Sequence, residues 1–572
     1  MNALDWLVLL GTMLGIAAYG TWRTRHTDNL NTYLKGNRNT GWLTIGLSVM
    51  ATQASTITYL SLPGQAYENG MAFIQNYFGL PLALIIVCVV FLPIYRRLGV
   101  YTAYEYLGKR FDAKTRLLGA SLFLLQRGLQ AGITIYAPAI ILSTVLGWRL
   151  DVTIIFTGLL VIVYTVTGGS AAVNLTQKWQ MAVIFGGMIT AFVVLLSKLP
   201  ADAVPIAGAM GKLQAVDFTP DLKRRYTFWS GMLGGLFLSL SYFGTDQSQV
   251  QRYIGGAALR EGRLGLMFNA VFKIPMQFFI VMLGAMLFVF YQFEPTTPVF
   301  FNQTEWQRYV EGPQGATFKA IEKKYTVLHA DQQAKIRAWV AVRDHGDVAG
   351  ESAARNALAE AQKAANAVRQ EARDTLKAVD PNAQVKDSDY VFITFILTQL
   401  PHGVVGLLIA AMFASALCSK ASELNALGTT STIDLWRHFR PLAAHDEARN
   451  VRNAKWFTAL WGLFAIGFAL FVSSAENLIE GLNIVASIFY PALLGVFVVA
   501  FFLKHVGGSA VFLAALAAQV LVLALFFLGK IYPAHEIGYL WLNPIGVAAC
   551  VFFSVILQLI FGDQAKTQPD PI

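Results

Sequence analysis

GLSVMATQASTITYLSLPGQAY, residues Gly46–Tyr67, is the sequence of an apolar helix that polar residues interrupt in its middle. A second stretch, GLFLSLSYFGTDQSQVQRY at Gly235–Tyr253, has the same character. In a bilayer such breaks are tolerated only where they line a cavity or are buried in protein. A pair of interrupted helices in corresponding halves of a chain indicates the binding site of a transporter. The two stretches are five predicted helices apart, which favours two inverted five-helix repeats.

The composition places the whole chain in a lipid bilayer. Of 572 residues, 55% are hydrophobic and 14% are charged, whereas soluble domains average about 25% charged residues. Apolar stretches of about 20 residues, the length of a spanning helix, recur and predict about thirteen spans. The first, from Trp6 to Tyr19, follows Asp5 and has no basic region before it, which favours a span over a cleaved signal peptide. We therefore predict an all-α polytopic membrane protein.

One segment differs in composition from the rest of the chain. Residues 293–389 are rich in Ala, Glu, Lys, Arg and Gln, a pattern typical of exposed soluble helices. The predicted domains are transmembrane residues 1–292, an extracytoplasmic helical insert at 293–389, and transmembrane residues 390–572 ending in a short cytoplasmic tail. The insert is interpreted as a solvated lid or decoration, or as a contact for a partner or oligomer; the sequence leaves the oligomeric state open.

Basic residues predict the orientation of the chain. They cluster in three loops expected on one side, at residues 23–38, 96–116 and 437–455, and the positive-inside rule makes that side cytoplasmic, with the N-terminus outside. Lys212 and Lys223–Arg225 fall on the opposite face and dissent. The net charge of +10 is explained by this placement, and no nucleic-acid partner is expected. Three cysteines, Cys88, Cys418 and Cys550, lie in apolar helices, so neither a disulfide nor a metal cluster is predicted.

Four motifs show that the chain resembles the sodium/solute symporters, which have the inverted-repeat fold of the LeuT type. They are FLPIYRRLGVYTAYEYLGKRF (Phe91–Phe111), YTVTGGSAAVNLTQKWQ (Tyr164–Gln180), YFGTDQSQVQRY (Tyr242–Tyr253) and ASELNALGTTSTIDLW (Ala421–Trp436). The resemblance implies five plus five helices with one extra helix before and two after. It also implies a bacterial inner-membrane protein that takes up a small-molecule solute with sodium by alternating access.

The resemblance also implies a sodium site between the first broken helix and the eighth core helix. Its ligands would be backbone carbonyls of Ala51, Ala54 and Ser415 with the side chains of Cys418 and Ser419. Oxygen ligands suit a hard cation, but Cys418 places a soft thiol where the family has a hydroxyl. A second sodium site found in some members needs a carboxylate where this chain has Gln177. We therefore predict one sodium per cycle.

Polar residues of the broken helices and of neighbouring core helices are candidates for substrate binding. The resemblance adds Lys273, which matches a lysine that contacts sugar in related carriers, and Tyr242, which matches an inner aromatic gate. The candidate substrate-binding residues are Gln53, Ser55, Thr58, Gln75, Asn76, Arg127, Gln130, Ser239, Tyr242, Lys273, Asn483 and Ser487. Asp246 and Gln247 are assigned a structural or ion-pathway role. Other sugar contacts of the family are absent, so a sugar is not favoured.

Arg127 is the most informative departure, because a guanidinium this deep in an apolar helix is costly unless it meets an anion or carbonyls. Sialic-acid carriers resemble this arrangement, with their arginine one helical turn away. One interpretation is bidentate binding of a substrate carboxylate. The alternative is that Arg127 pairs with a carboxylate of the protein or extends towards the cytoplasm.

Other functions fit the sequence less well. Histidines, acids and nucleophiles form no catalytic constellation, so no enzyme is predicted, and no repeated pore element indicates a channel. A proton-coupled carrier, a sugar or neutral-solute carrier of the same fold, and a transporter-like sensor stay open as alternatives.

Overall fold

The computed structural model describes residues 1–23, 41–100, 102–254, 258–294, 296–299, 302–381, 383, 385–440, 447–471 and 477–562. For helical residues 16–23, 167–179, 304–305, 418 and 447–448 it describes the backbone alone. Within these residues the chain is helical and contains no strand. The all-α prediction is confirmed.

The first half of the chain carries a helix broken at Ala54 and Ser55. Ala54 has φ −87° and ψ 63°, and Ser55 is extended, so the regular hydrogen-bond ladder stops there. The helices of this half are α1 (Ala3–Arg23), α2 (Trp42–Gln53), α3 (Thr56–Asn69), α4 (Leu80–Ile86), α5 (Leu92–Leu98), α6 (Ala103–Arg110), α7 (Ala113–Leu146), α8 (Leu150–Lys198) and α9 (Ala203–Ala209). A 3-10 turn, Gly70–Tyr77, joins α3 to α4.

The second broken helix lies where the sequence places it. A π-helical turn, Ser230–Gly234, leads into α10 (Gly235–Gly244), and α11 (Gln247–Ile254) follows after two residues. Asp246 begins α11 as its N-cap, because its Oδ1 accepts hydrogen bonds from the backbone N–H of Ser248 at 2.8 Å and from its hydroxyl at 2.6 Å. The side chain thus replaces bonds that the break removes.

The rest of the chain comprises a long helix, the insert and the C-terminal helices. These are α12 (Leu259–Phe293), α13 (Gln303–Val310), α14 (Gly315–Asp344), α15 (Val348–Val379), α16 (Val391–Gln399), α17 (Val404–Thr430), α18 (Arg437–Phe439), α19 (Glu447–Phe471), α20 (Leu478–Phe502), α21 (Gly508–Ile531) and α22 (Tyr539–Phe561). Both broken helices lie at the centre: α2 and α3 pack against α12 and α17, α10 packs against α4 and α20, and α7 packs against α17 and α20.

Nine helical stretches of the described residues are long and apolar enough to cross a membrane, and Ala3–Gly15 and Leu150–Val166 are shorter apolar helices. The halves of each broken helix are short, and a count based on helix length does not recognise every one of them as part of a membrane span. The total of about thirteen therefore stays a prediction.

The insert consists of the packed pair α14 and α15, preceded by α13. Its exit is tied back to α15, since Asp387 pairs with Arg373 at 3.0 Å and with Arg369 at 3.4 Å. The following turn, Ser388–Tyr390, presses on α3 so closely that a Cβ added to Gly64 would lie 1.9 Å from the Ser388 carbonyl oxygen. The insert is thus attached to α3, the second half of the first broken helix.

Candidate functional site

A cavity of about 110 Å³ lies between the two helix breaks and is walled by α7, α17 and α20. Nine of the twelve candidate substrate-binding residues line this cavity. The nine are Gln53, Ser55, Thr58, Asn76, Arg127, Gln130, Ser239, Tyr242 and Asn483.

The other three candidates lie outside the cavity wall. The side-chain amide of Gln75 instead donates to the Tyr226 carbonyl at 3.2 Å, and its oxygen accepts the Asp217 N–H at 2.9 Å. These bonds fix the loop that contains Asp217 and Tyr226. Ser487 accepts a hydrogen bond from Asn543 at 2.8 Å and so faces α22.

Lys273 is fully buried on α12 and sits behind the cavity wall. Its Nζ lies 5.9 Å from the ring centre of Tyr77, a lining residue. Among the described residues it has no hydrogen-bond partner. A solute in the cavity as described would therefore meet Tyr77 before it met Lys273.

Arg127 pairs with a protein carboxylate, which is the alternative interpretation raised by the sequence. Its Nη2 donates to Asp246 Oδ2 in a short contact, and the Tyr490 hydroxyl donates to the same carboxylate at 2.6 Å. The pair joins α7 to the break between α10 and α11, and it is 4% and 0% exposed. Removing one member of such a buried pair leaves the other charge uncompensated, so the pair fixes both helices.

The guanidinium is nevertheless only partly satisfied. Its Nε has no hydrogen-bond partner among the described residues, and its Nη1 faces Glu423 Oε1 at 3.6 Å. The face of the group also lies 5.5 Å from the ring centre of Tyr242. Arg127 thus lines the cavity, and its Nε–H is a donor that no described residue accepts.

Glu423 and Tyr490 line the cavity, and the sequence reasoning missed both. Glu423 is 5% exposed and pairs with Lys420 at 2.8 Å and with Arg127, so this buried cluster of two acids and two bases is balanced in charge. An acid inside an apolar helix is itself a functional signal, and that rule would have identified Glu423 within the quoted ASELN motif.

Besides Arg127, three lining residues carry buried polar atoms without a hydrogen-bond partner in the described part of the chain. They are the acceptors Gln53 Oε1 and Asn76 Oδ1 and the donor Asn483 Nδ2. A buried polar group left unpaired costs about 1–3 kcal/mol. The cavity therefore suits a solute that offers both hydrogen-bond donors and acceptors.

The predicted sodium site lies beside the first break. Ala51 and Ala54 are buried, and because α2 ends at Gln53 no further helical turn follows to pair with its last carbonyls. The Ala54 N–H still bonds the Met50 carbonyl. Across from them, α17 presents buried Ser415 and Ser419, and the Ser419 hydroxyl has no hydrogen-bond partner among the described residues.

A hydrogen bond from the Thr56 hydroxyl to the Met412 carbonyl at 2.6 Å holds the break against α17. Backbone and hydroxyl oxygens of this kind are the ligands that a hard cation takes. The side chain of Cys418 lies outside the described residues, as does that of Gln177. The described part of the donor set fits sodium.

Asp246 and Gln247 hold the second break together. Gln247 Oε1 accepts the Ala103 N–H at 3.1 Å, which joins the break to the start of α6. Arg252, on the same short helix, donates to Ser48 at 3.2 Å and to Ser422 in a short contact. The second broken helix is therefore linked to α6, to α2 ahead of the first break, and to α17.

Known proteins resemble this chain over most of its length. The profile of the "Sodium:solute symporter family" matches residues 33–300 and 366–518. The unmatched residues 301–365 lie in the insert. The chain is 34% identical over 261 residues to the human sodium/iodide cotransporter, a match covering 45% of this chain and 41% of that one.

Two further relatives carry organic acids according to their names. The chain is 33% identical over 272 residues to the human sodium-coupled monocarboxylate transporter 1, covering 47% and 45% of the two chains. These first relatives are thus matched over less than half of their length. The sodium/sialic acid symporter SiaT of Proteus mirabilis is 24% identical over 578 residues and is covered over 97%.

A solved structure shares the fold. The substrate-bound outward-open state of a Na+-coupled sialic acid symporter superposes with a TM-score of 0.72 at 22% identity, over 99% of this chain and 100% of the other. The shared fold, the two helix breaks around one cavity and the match to the family profile all indicate the same family. The chain belongs to the sodium:solute symporter family.

Proposed function

We propose that this protein is a sodium-coupled symporter that imports a small carboxylate by alternating access, without chemical conversion of the solute. The observation that carries the proposal is Arg127, a buried guanidinium that lines the central cavity and whose Nε has no hydrogen-bond partner among the described residues. Asp246 holds one end of the group, so its orientation is set before a ligand arrives. A carboxylate is a good partner for donors in this planar arrangement.

The names of the relatives support an anionic solute. Iodide, monocarboxylates and sialic acid, the solutes in those names, are all anions at neutral pH. Because the cluster around Arg127 is already balanced in charge, a carboxylate would add one negative charge beside it. One sodium at the nearby break would compensate that charge, and this balance supports one sodium per cycle.

A second candidate, a neutral polar solute, is favoured by the same charge balance. Here Arg127 would serve as a fixed part of the wall, and Gln53, Asn76 and Asn483 would bind the solute through their unpaired atoms. Proton coupling is a further alternative, since Cys418 departs from the hydroxyl expected at the sodium site.

The two candidates are separated by uptake in proteoliposomes. Radiolabelled carboxylates, sugars, amino acids and nucleosides are offered with an inward sodium gradient and, in parallel, with choline in place of sodium. The proposal expects sodium-dependent uptake of a carboxylate. Sodium-dependent uptake of neutral solutes alone would support the second candidate, and a pH gradient that replaces sodium would support proton coupling.

The matched variant is Arg127→Lys, which keeps the charge that Asp246 requires but removes the planar set of donors. We expect uptake of the carboxylate to weaken at least about 10-fold, as expected for loss of a charge-assisted hydrogen bond. Arg116→Lys is the control, because it makes the same change in an ion pair with Asp434 that lies outside the central cavity. Equal carboxylate affinity in Arg127→Lys and the parent would contradict the assignment.

We further propose the orientation with the N-terminus outside in a bacterial inner membrane. Arg343 of the insert pairs with Asp202 at 2.5 Å, so the insert shares a face with the loop region that follows α8. In that region Arg224 pairs with Asp217 at 2.6 Å. Arg224 therefore has a local structural role that accounts for its presence on this face. Of the dissenting basic residues, Arg224 is thus held in a local ion pair.

A further inference from the structure

A second and larger cavity, of about 600 Å³, lies between the insert and the ends of α3 and α12. We call it the insert cavity. Its floor is aromatic, with Tyr67 from α3 and Phe288 and Tyr291 from α12, and its walls come from α14, α15 and the loop at Lys212. The volume falls in the range of about 300–1,000 Å³ that is usual for small-molecule sites.

The lining of the insert cavity is strongly cationic. Lys212, Arg355, Arg369 and Arg373 line it, against one carboxylate, Glu68. Asp387 partly neutralises Arg369 and Arg373 from behind, at 3.4 and 3.0 Å. The cavity therefore carries an excess of positive charge even after these pairs are counted.

Lys212 and Arg355 make no ion pair with a described carboxylate, because the pairs of Glu68 are with Arg373 at 3.9 Å and Lys386 at 3.8 Å. The Lys212 ammonium instead donates to the Glu68 backbone carbonyl at 2.5 Å and lies 4.3 Å from the ring centre of Phe288. Burial lowers the pKa of Lys212 to about 8, so the group is still mainly charged at pH 7. Two cations thus remain for an anionic ligand.

A row of amides completes the wall. Gln332 is 2% exposed and donates to Gln292 Oε1 at 2.6 Å and to Gln362 in a short contact, and Gln362 donates to Asn366 at 3.2 Å. The row runs from α12 across α14 to α15 beside the cationic side. Amides bind hydroxyl and amide groups of a ligand, so the wall suits a hydroxylated or amidated acid.

The two cavities share one helix. Thr58 near the start of α3 lines the central cavity, and Glu68 near its end lines the insert cavity. Ten residues of helix at 1.5 Å each separate them by about 15 Å. Part of the wall, including Gln332 and Arg355, falls in residues 301–365, which the family profile does not match.

We propose that the insert cavity is a second solute-binding site, specific to the insert, that holds a small carboxylate-bearing solute before it reaches the central cavity. The identity of the solute rests on the proposed function; the existence of the site does not. Binding here needs no sodium, because the charge of the solute is met by Lys212 and Arg355. This independence separates the two sites in an experiment.

The test is equilibrium binding to the purified full chain in detergent at pH 7, with choline replacing sodium. The probe is N-acetylneuraminic acid, which carries a carboxylate, an amide and hydroxyls, and N-acetylmannosamine is the neutral competitor. We expect sodium-independent binding that is at least about 10-fold weaker in the double variant Lys212→Gln/Arg355→Gln. We also expect the neutral sugar to compete poorly.

The matched control is Arg337→Gln, an exposed residue of α14 outside the cavity. It should bind the acid as the parent does, and each variant should keep the thermal transition of the parent. Arg355→Glu, at an exposed helix position, repeats the test if the double variant does not fold. Absence of sodium-independent binding, equal loss in Arg337→Gln, or equal competition by the neutral sugar would overturn the proposal. Binding in choline without any sodium-dependent uptake would defeat the proposed function and leave the second site standing.

Discussion

Replacing Asp246 by Asn tests the network that joins the two repeats. The substitution keeps the size of the side chain but removes the charge that Arg127 meets inside the protein, where both groups are at most 4% exposed. Breaking a buried ion pair from one side costs about 3–5 kcal/mol. The cost falls at the second helix break, because Asp246 also accepts hydrogen bonds from Ser248 and Tyr490.

The assay is thermal unfolding of the purified protein in detergent, followed by tryptophan fluorescence. At about 2–4 °C for each kcal/mol in domains of moderate size, and less in a larger chain, we expect Asp246→Asn to lower the midpoint by at least about 5 °C. Asp434→Asn is the matched control. Its partner Arg116 lies 2.8 Å away and is 25% exposed. Water can therefore solvate the Arg116 charge when the carboxylate is removed, and the unfolding midpoint should fall by less.

A double variant measures the interaction between Arg127 and Asp246. Arg127→Gln/Asp246→Asn removes both charges, so it should be more stable than Asp246→Asn alone, since a cycle of this kind isolates the interaction of the pair. A midpoint for Asp246→Asn equal to that of Asp434→Asn, or a double variant less stable than either single variant, would refute the pairing.

Two further predictions address the sodium site and the attachment of the insert. Ser419→Ala removes a buried hydroxyl beside the first break that has no hydrogen-bond partner among the described residues. We expect the sodium concentration for half-maximal uptake to rise at least about 10-fold, whereas Ser419→Thr should stay near the parent. An unchanged sodium dependence in Ser419→Ala would show that Ser419 is not a sodium ligand. Gly64→Ala places a Cβ 1.9 Å from the Ser388 carbonyl oxygen and should lower the yield of folded protein. The control Gly186→Ala has no atom within 4 Å of the added Cβ and should be tolerated. Equal yields of the two variants would show that the turn after the insert does not pack tightly against α3.

The sequence predicted the broken helices because their signal is local. Polar residues in the middle of an apolar stretch identify a break without knowledge of its neighbours, and the breaks lie at Ala54 and Ser55 and at Thr245 and Asp246. The lining residues beside each break follow from the same signal.

Contacts between distant helices were not predictable in the same way. Asp246 is 119 positions from Arg127, and the sequence does not state which carboxylate meets the guanidinium. Gln75 and Ser487 lie on the expected elements but point to Tyr226 and Asn543, since the rotation of a helix about its axis is set by its packing. The insert cavity was also invisible, because its charges come from segments more than 100 residues apart.

The most direct test of sodium-coupled carboxylate import is the ratio of the two fluxes. Labelled sodium and a labelled monocarboxylate are followed together in proteoliposomes, at several membrane potentials set with potassium and valinomycin. One sodium with one carboxylate moves no net charge, so we expect a flux ratio of one and uptake that does not change with the potential. Carboxylate uptake that proceeds equally in choline would contradict the account, and a ratio of two with uptake driven by an inside-negative potential would contradict its single sodium site.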